Sequence, residues 1–287
     1  MSYTVQDLLE LLDLESIEEN IYRGLNRDIG TGRVFGGQVM AQALVAAQRT
    51  VPEERVAHSM HGYFILPGDM NAPIVYFVDR LRDGKSFTTR RVTAIQHGRA
   101  IFNMSASFQI VEDDGPEHQT EMPAAPPPES LVPDLELVRS RADSIPDHLR
   151  PILTQDRPID FRPVDPIDPF DPVARPPRRM LWARVIGDMP RESLANQAVL
   201  AYASDYGLLA TSLLPHALSI HTPGMQVATL DHAIWFHRPV HYDQWHLYVM
   251  DSPSASGARG FTRGSIFNEK GQLIASTAQE GLTRYHG

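Results

Sequence analysis

The chain has 287 residues, with 26 Lys and Arg against 35 Asp and Glu and a formal net charge of −9. That balance excludes a general nucleic-acid binder, which needs a basic excess to neutralise phosphates. The absence of cysteine excludes disulfides, iron–sulfur clusters, thiolate metal sites and a cysteine nucleophile.

The opening residues, Met1 to Asp13, carry acids and no basic stretch ahead of an apolar one, so they do not read as a signal peptide. No apolar run approaches the roughly 18 residues that a membrane helix needs. The expectation is a cytoplasmic protein with no membrane insertion. Gly30-Thr31-Gly32-Arg33-Val34-Phe35-Gly36 misses the dinucleotide fingerprint by one residue and follows no convincing strand. Residues 35–50 form the first predicted helix: Gly36-Gly37 opens it, it holds no acid, and Val39, Ala43, Ala46 and Ala47 recur at helical spacing. Strands are predicted over 57–66, 73–81, 86–96 and 100–110, separated by Pro67-Gly68-Asp69, Asp83-Gly84 and His97-Gly98.

Fifteen of the 23 prolines then fall in residues 112–180. Proline fixes φ and lacks a donor, so this stretch reads as a long connector laid over two ordered halves. Apolar Leu131, Leu135, Leu137, Ile152, Leu153 and Phe161 suit docking rather than a free tail. The second half repeats the first, with a helix over 193–209 and strands over 226–239, 245–252, 258–267 and 273–282. Tyr63-Phe64 and Pro67 match Trp235-Phe236 and Pro239 at an offset of 172. Gly98-Arg99-Ala100-Ile101 matches Gly271-Gln272-Leu273-Ile274 at an offset of 173. A period this long is domain duplication. The organisation is a first repeat (1–111), a connector (112–180) and a second repeat (181–287). The fold class is α+β, with each antiparallel sheet wrapping one helix and the two sheets joined at their edges.

No Gly-x-Ser-x-Gly elbow, Walker A loop or His-Glu-x-x-His motif occurs. Six of the twelve histidines lie between His216 and His246, but His237 and His241 have metal spacing only on a helix and sit in a strand context. Neither a metal nor a cofactor is expected. Three polar residues of the second half stand in apolar or small-residue surroundings. Asp205 follows Val199-Leu200-Ala201-Tyr202-Ala203-Ser204, where a carboxylate is costly unless bonded or facing water. Thr229 begins a strand segment, and a strand-forming role alone explains it. Gln279 lies on the last strand, where the repeat places Ala106 in the first half. The first helix has no counterpart of the acid, so any chemistry belongs to the second half.

Blocks along nearly the whole chain resemble the acyl-CoA thioesterase II (TesB-like) family of double-hotdog enzymes. They include Val34-Phe35-Gly36-Gly37-Gln38, His58-Ser59-Met60-His61-Gly62-Tyr63-Phe64, Tyr202-Ala203-Ser204-Asp205, Asp231-His232-Ala233-Ile234-Trp235-Phe236-His237-Arg238-Pro239 and Ala278-Gln279-Glu280-Gly281. The resemblance implies a double hotdog, two tandem repeats each with a central helix. It also implies hydrolysis of acyl-CoA, and a homodimer or homotetramer. It puts the family's active-site Asp, Thr and Gln on Asp205, Thr229 and Gln279. A CoA thiolate leaves readily, so a water activated by Asp205 and fixed by Thr229 and Gln279 suffices.

Substrate-binding candidates are Gly36, Gly37 and Gln38 at the first helix start, where free N–H groups favour an oxyanion and a tight turn is the alternative. His58 and His61, within one of these blocks, are candidates to assist, neither as the catalytic base. Arg259 and Arg263, with Arg90 and Arg91, are candidates for CoA phosphate contacts or plain exposed strand charges. Phe35, Met40, Leu44, Tyr63, Phe64 and Trp235 either line an acyl groove or belong to the core. The competing readings are a hotdog enoyl-CoA hydratase, for which no Asp-x₄-His pair opens a helix, and a silent acyl-CoA-binding scaffold.

Overall fold

The computed structural model describes residues 3–29, 32–112 and 115–287. Met1 and Ser2, Gly30 and Thr31 of the glycine run, and Asp113 and Asp114 of the connector lie outside the described residues.

Helix α1 (Val5–Leu12) leads into two short strands, β1 (Glu15–Glu18) and β2 (Ile21–Gly24). The first repeat follows as α2 (Gly36–Gln48), β3 (Arg55–Phe64), β4 (Ile74–Asp83), β5 (Phe87–Gln96) and β6 (Arg99–Ile110). The Pro-rich segment holds α3 (Asp134–Ser140), α4 (Arg150–Leu153) and β7 (Ile159–Pro163), and ends in β8 (Arg178–Val185). The second repeat is α5 (Ser193–Ser204), a 3-10 helix (Leu209–His216), β9 (Met225–Thr229), β10 (Asp231–Phe236), β11 (His246–Ser256), β12 (Arg259–Asn268) and β13 (Leu273–Tyr285).

The strands form one antiparallel sheet in the order β1-β2-β4-β5-β6-β3-β10-β13-β12-β11-β8-β7, and β9 also pairs with β13. The two halves join through β3 and β10, where Tyr63 faces Asp231, His61 faces Ala233 and Ser59 faces Trp235. At the sequence offset of 172, His61 and Ala233 are each other's equivalents. The local two-fold relating the repeats therefore passes through that pair. Each half keeps the same internal order, with β4-β5-β6-β3 mirrored by β11-β12-β13-β10. The β5–β6 and β12–β13 turns both use a left-handed glycine, Gly98 (φ 69°) and Gly271 (φ 76°), a conformation that costs other residues energy.

Both central helices are buried almost all round, α2 from Gly37 to Ala47 and α5 from Asn196 to Ser204. Their small residues let the sheet close on them. Buried amides on these helices are put to work. Gln42 donates to the Leu11 and Leu25 carbonyls and accepts from the Tyr76 hydroxyl, and Gln197 donates to the Ala57 carbonyl across the repeat boundary. Met40 and Leu44 are core residues.

The Pro-rich segment is docked along the second half. The Trp182 indole donates to the Pro126 carbonyl, Arg162 to the Pro128 carbonyl, and Ser219 to the Pro169 carbonyl. Leu131 and Met122 pack on a second apolar cluster of Trp182, Trp245 and Leu247. The segment also supplies sheet, because β7 and the start of β8 fall within residues 112–180. Proline is tolerated there because β7 is an edge strand.

Candidate active site

Asp205 caps the C-terminus of α5 with helical backbone angles (φ −77°, ψ −11°). A carboxylate at this end of a helix faces the negative end of the helix dipole and is disfavoured. Its compensation comes from both halves. The Gly37 N–H, left without an intrahelical partner at the start of α2, donates to Asp205 Oδ2 at 3.0 Å, and Gln279 Nε2 donates to Oδ1 at 2.7 Å. The two glycines permit this approach. A Cβ on Gly36 would stand 2.8 Å from Asp205 Oδ2, and one on Gly37 would collide with the Tyr202 carbonyl. Burial pushes the Asp205 carboxyl above the ordinary carboxylate value, and the bonds from Gln279 and Gly37 pull it part of the way back.

Thr229 and Gln279 meet because the sheet carries a bulge. The sequence reads residues 226–239 as one strand, but the chain breaks at Leu230 into β9 and β10. Thr229 lies opposite Gly281 and Ala233 opposite Ala278, four steps on one side against three on the other. The extra residue bends the strand. At the bend, Leu230 accepts from the Phe64 N–H and donates to the Glu280 carbonyl. Asp231 takes the Glu280 N–H at 2.7 Å. Thr229 thereby stays on the inner face beside Gln279, whose Nε2 donates to its Oγ1 at 3.0 Å. Gln279 is wholly buried, and both of its N–H groups go to these two partners. The carboxylate fixes which end of the amide faces it, since oxygen against oxygen would repel. Thr229 accepts from Gln279 and so keeps its own hydrogen to donate outward.

An aromatic cluster joins the start of α2 to the end of α5. Phe35 meets Tyr202 and Tyr206 edge to face, with centroids 5.1 and 5.8 Å apart, and Phe161 stacks on Tyr206 at 4.6 Å. Tyr202, Tyr206 and Phe161, with Ile152 and Leu153 of the connector, line a cavity of about 30 Å³. The connector's part in this cluster has no local signature beyond its apolar residues.

The remaining candidates separate. The Gly37 N–H is committed to Asp205 and so does not serve as an oxyanion donor. Gln38 is also turned to structure. Its amide donates to Leu25 O and Asn26 Oδ1 and accepts from the Arg27 N–H. His58 bonds Ser107 Oγ at 2.8 Å and meets the Phe87 ring, without contact to Asp205. Arg90 is buried and saturated by Thr50, Arg82, Thr89 and Asp83, which removes it as a phosphate contact. Arg91 pairs with Asp79 and Arg263 with Asp251, both exposed. Arg259 pairs with Glu280 and also lines a cavity of about 220 Å³ with His216, Met225 and Thr283. Tyr63 and Trp235 lie on the outer face of the sheet. Of the groove candidates, Phe35 and Phe64 stand against the Gly36-Gly37 turn at the site. Among the described residues, no group of three or more His, Asp or Glu is placed to hold a metal ion, and no helix is long and apolar enough to cross a membrane.

Comparison with known proteins agrees with this architecture. Residues 25–109 match the family model described as acyl-CoA thioesterase N-terminal domain, and residues 154–282 match the one described as acyl-CoA thioesterase. The chain is 42% identical to acyl-CoA thioesterase 2 of Haemophilus influenzae, over 99% of each. It is 40% identical to mouse acyl-coenzyme A thioesterase 8, over 96% of this chain and 88% of that protein. A crystal structure of the acyl-CoA thioesterase II TesB2 of Mycobacterium marinum superposes with a TM-score of 0.78 at 41% identity, covering 96% of this chain and 97% of that one. A hot dog fold protein of Alicyclobacillus acidocaldarius superposes with a TM-score of 0.76 at 19% identity over 97% of this chain and 98% of that one, a likeness of fold alone. With two helix-wrapping sheets joined edge to edge and relatives that match from end to end, the chain belongs to the acyl-CoA thioesterase II (TesB-like) family of double-hotdog thioester hydrolases.

Proposed function

We propose that this protein hydrolyses fatty acyl-CoA to the free acid and CoA by direct attack of a water held by the Asp205, Thr229 and Gln279 cluster. The observation that carries the reading is the Gln279 amide joining Asp205 Oδ1 at 2.7 Å to Thr229 Oγ1 at 3.0 Å. Asp205 and Thr229 keep some accessible surface while Gln279 has none. We assign the first two to contact with the water and Gln279 to setting their spacing. Asp205 accepts a proton from the water as it adds to the thioester carbonyl, and the Thr229 hydroxyl orients the water oxygen. Because water itself is the nucleophile, no covalent acyl-enzyme forms; collapse of the tetrahedral adduct releases the free acid and the CoA thiolate, which takes up the proton held by Asp205. General-base assistance of this kind contributes about 10²–10⁴-fold, and positioning supplies more.

Arg259, at the rim of the larger cavity, is our candidate for a CoA phosphate contact. The outer sheet face exposes Tyr63, Phe77, Phe87, Trp235 and Phe261, which supports a homodimer or homotetramer, read by light scattering after size exclusion. A cytoplasmic location is read by cell fractionation. The deciding assay follows free thiol released from palmitoyl-CoA and shorter acyl-CoAs. Release at several chain lengths supports the reading. A wild type inert on all of them overturns it and leaves a binding protein.

A further inference from the structure

The peptide that joins Ser204 to Asp205 is held from the sheet side by groups with no place in the reaction scheme. Tyr248 on β11 points inward and is buried, and its hydroxyl lies 2.9 Å from the Ser204 carbonyl and 2.9 Å from Thr277 Oγ1. A carbonyl only accepts, so the Tyr248 proton goes to Ser204 and the Thr277 hydroxyl donates to Tyr248. The Ser204 carbonyl is one of those that a helix end leaves without an intrahelical partner. Gly264 makes room for the arrangement, since a Cβ there would meet both the Tyr248 ring and Thr277 Oγ1.

The Ser204 side chain is tied down as well. Its hydroxyl donates to the Ala201 carbonyl at 2.8 Å and stands 3.1 Å from His232 Nε2. With the hydroxyl proton spent on Ala201, His232 must carry its hydrogen on Nε2 and donate. Its Nδ1 is buried without a partner, which is tolerable for a bare acceptor and costly for an orphan N–H. Burial keeps this imidazole neutral, with its pKa pushed down to about 3.

The first repeat lacks the relay. Tyr76 is the equivalent of Tyr248, facing Ala94 as Tyr248 faces Ile266. Its hydroxyl instead donates to Gln42 Oε1, in mid-helix, at 2.7 Å. Met104 stands where the second repeat has Thr277, and Val92 where it has Gly264, paired with each other in both cases.

We propose that Tyr248 is a positioning residue for thioester hydrolysis. Together with Thr277 and His232 it fixes the Ser204–Asp205 peptide so that the carboxylate meets the Gly37 N–H and Gln279. This rests on reading Asp205 as the base.

The test compares Tyr248→Phe with Tyr76→Phe on acyl-CoA turnover, pH profile, melting temperature and the carboxyl ¹³C NMR titration of Asp205. Y248F is expected to lower kcat about 10-fold or more, the scale of a misplaced reacting group, while KM stays within about twofold. Its Asp205 titration and the acidic limb of kcat/KM should move to higher pH, because the two donors that hold the carboxyl down lose alignment. Y76F should lower the melting temperature and leave kcat and the titration where they were. If Y248F alone does not fold, Y248F/T277V is measured under the same criteria, since it leaves no hydroxyl unpaired. An Asp205 titration that Y248F does not move, or equal losses of kcat in Y248F and Y76F, overturns the proposal. The NMR reading does not depend on turnover, so a wild type that releases no thiol counts against the hydrolase reading alone.

Discussion

Arg49 and Asp205 occupy the same place in the two repeats. Each caps the C-terminus of its buried helix, at φ −62°, ψ −12° and φ −77°, ψ −11°. A cation suits the negative end of a helix dipole and an anion does not. In the first repeat Arg49 bonds the Leu14 carbonyl and Asp13. The Arg90 guanidinium also reaches the Thr50 carbonyl and hydroxyl just beyond the helix. In the second repeat the sheet pair that corresponds to Arg90 and Ala106 is Thr262 and Gln279. Duplication kept the backbone and exchanged the charges. One helix end became a stable joint, and the other became a carboxylate that depends on donors from elsewhere. Functional sites commonly give up local stability in this way.

The sharpest break in that comparison is Asp205→Asn. It should lower kcat by at least about 10²-fold if the acid is the base, measured by thiol release at saturating acyl-CoA. Stability should move the other way. Because the folded-state pKa of Asp205 is raised, chiefly by burial, the native state holds a proton that the unfolded chain has released between the ordinary carboxylate value and the raised one. The contribution to stability is present below that window and is lost as pH rises through it. The melting temperature of D205N relative to wild type should therefore be more favourable at pH 7 than at pH 4. A difference that shrinks as pH rises would mean that the carboxylate is stabilised in the fold.

Gln279→Ala makes the second repeat resemble the first at Ala106. It removes a bond to a charged group, worth about 1.5–3 kcal/mol, so kcat should fall about 10–10²-fold. One of the two donors that lower the Asp205 pKa disappears, and the acidic limb of kcat/KM should shift to higher pH. A limb that moves to lower pH would contradict the hydrogen-bond geometry. Gly37→Ala acts at the same junction from the opposite repeat. The new Cβ meets the Tyr202 carbonyl, so the start of α2 must move away from the end of α5 and the N–H withdraws from Asp205. A loss of about 10-fold in kcat is expected, with the acidic limb again moving up.

Much of this was legible in the residues. The helix without acids at 35–50, the turn at His97-Gly98, and the offsets of 172 and 173 define two repeats, and the repeat alignment isolates Asp205 and Gln279 as unmatched polar groups. What escaped was non-local. Nothing in Gln226 to Pro239 marks the bulge at Leu230, because its cause is the register of β13. The Gly36-Gly37 pair signals close approach, but its partner lies 168 residues away. Strands β1, β2 and β7 are only four or five residues long and lie at or next to the sheet edges; β7 does alternate, as Ile159-Asp160-Phe161-Arg162, but it sits among prolines that mark the stretch as a connector. The helix reading to Leu209 overran Ser204 because Tyr206, Leu208 and Leu209 continue the apolar pattern after the chain has turned.

The smallest expected effect tests whether any Arg of the outer face has left the common frame. Arg91 lies directly opposite Asp79, and Arg263 directly opposite Asp251. The ion pairs span 2.8 and 2.6 Å with their guanidinium groups about half exposed. An exposed cross-strand pair is worth at most about 1 kcal/mol. Both repeats keep it, so a role in the sheet explains it without a ligand. Arg91→Ala and Arg263→Ala should accordingly lower the melting temperature slightly and equally, and each should leave KM for acyl-CoA within about twofold. Arg259 has no such twin, since Phe87 stands at its place in the first repeat, paired with Gln109 as Arg259 is with Leu282. Arg259→Ala should raise KM about threefold or more at unchanged kcat, and less so at high salt, where a phosphate contact is screened. A rise in KM for R263A as large as for R259A would place both guanidinium groups at the CoA phosphates and end the equivalence of Arg263 with Arg91.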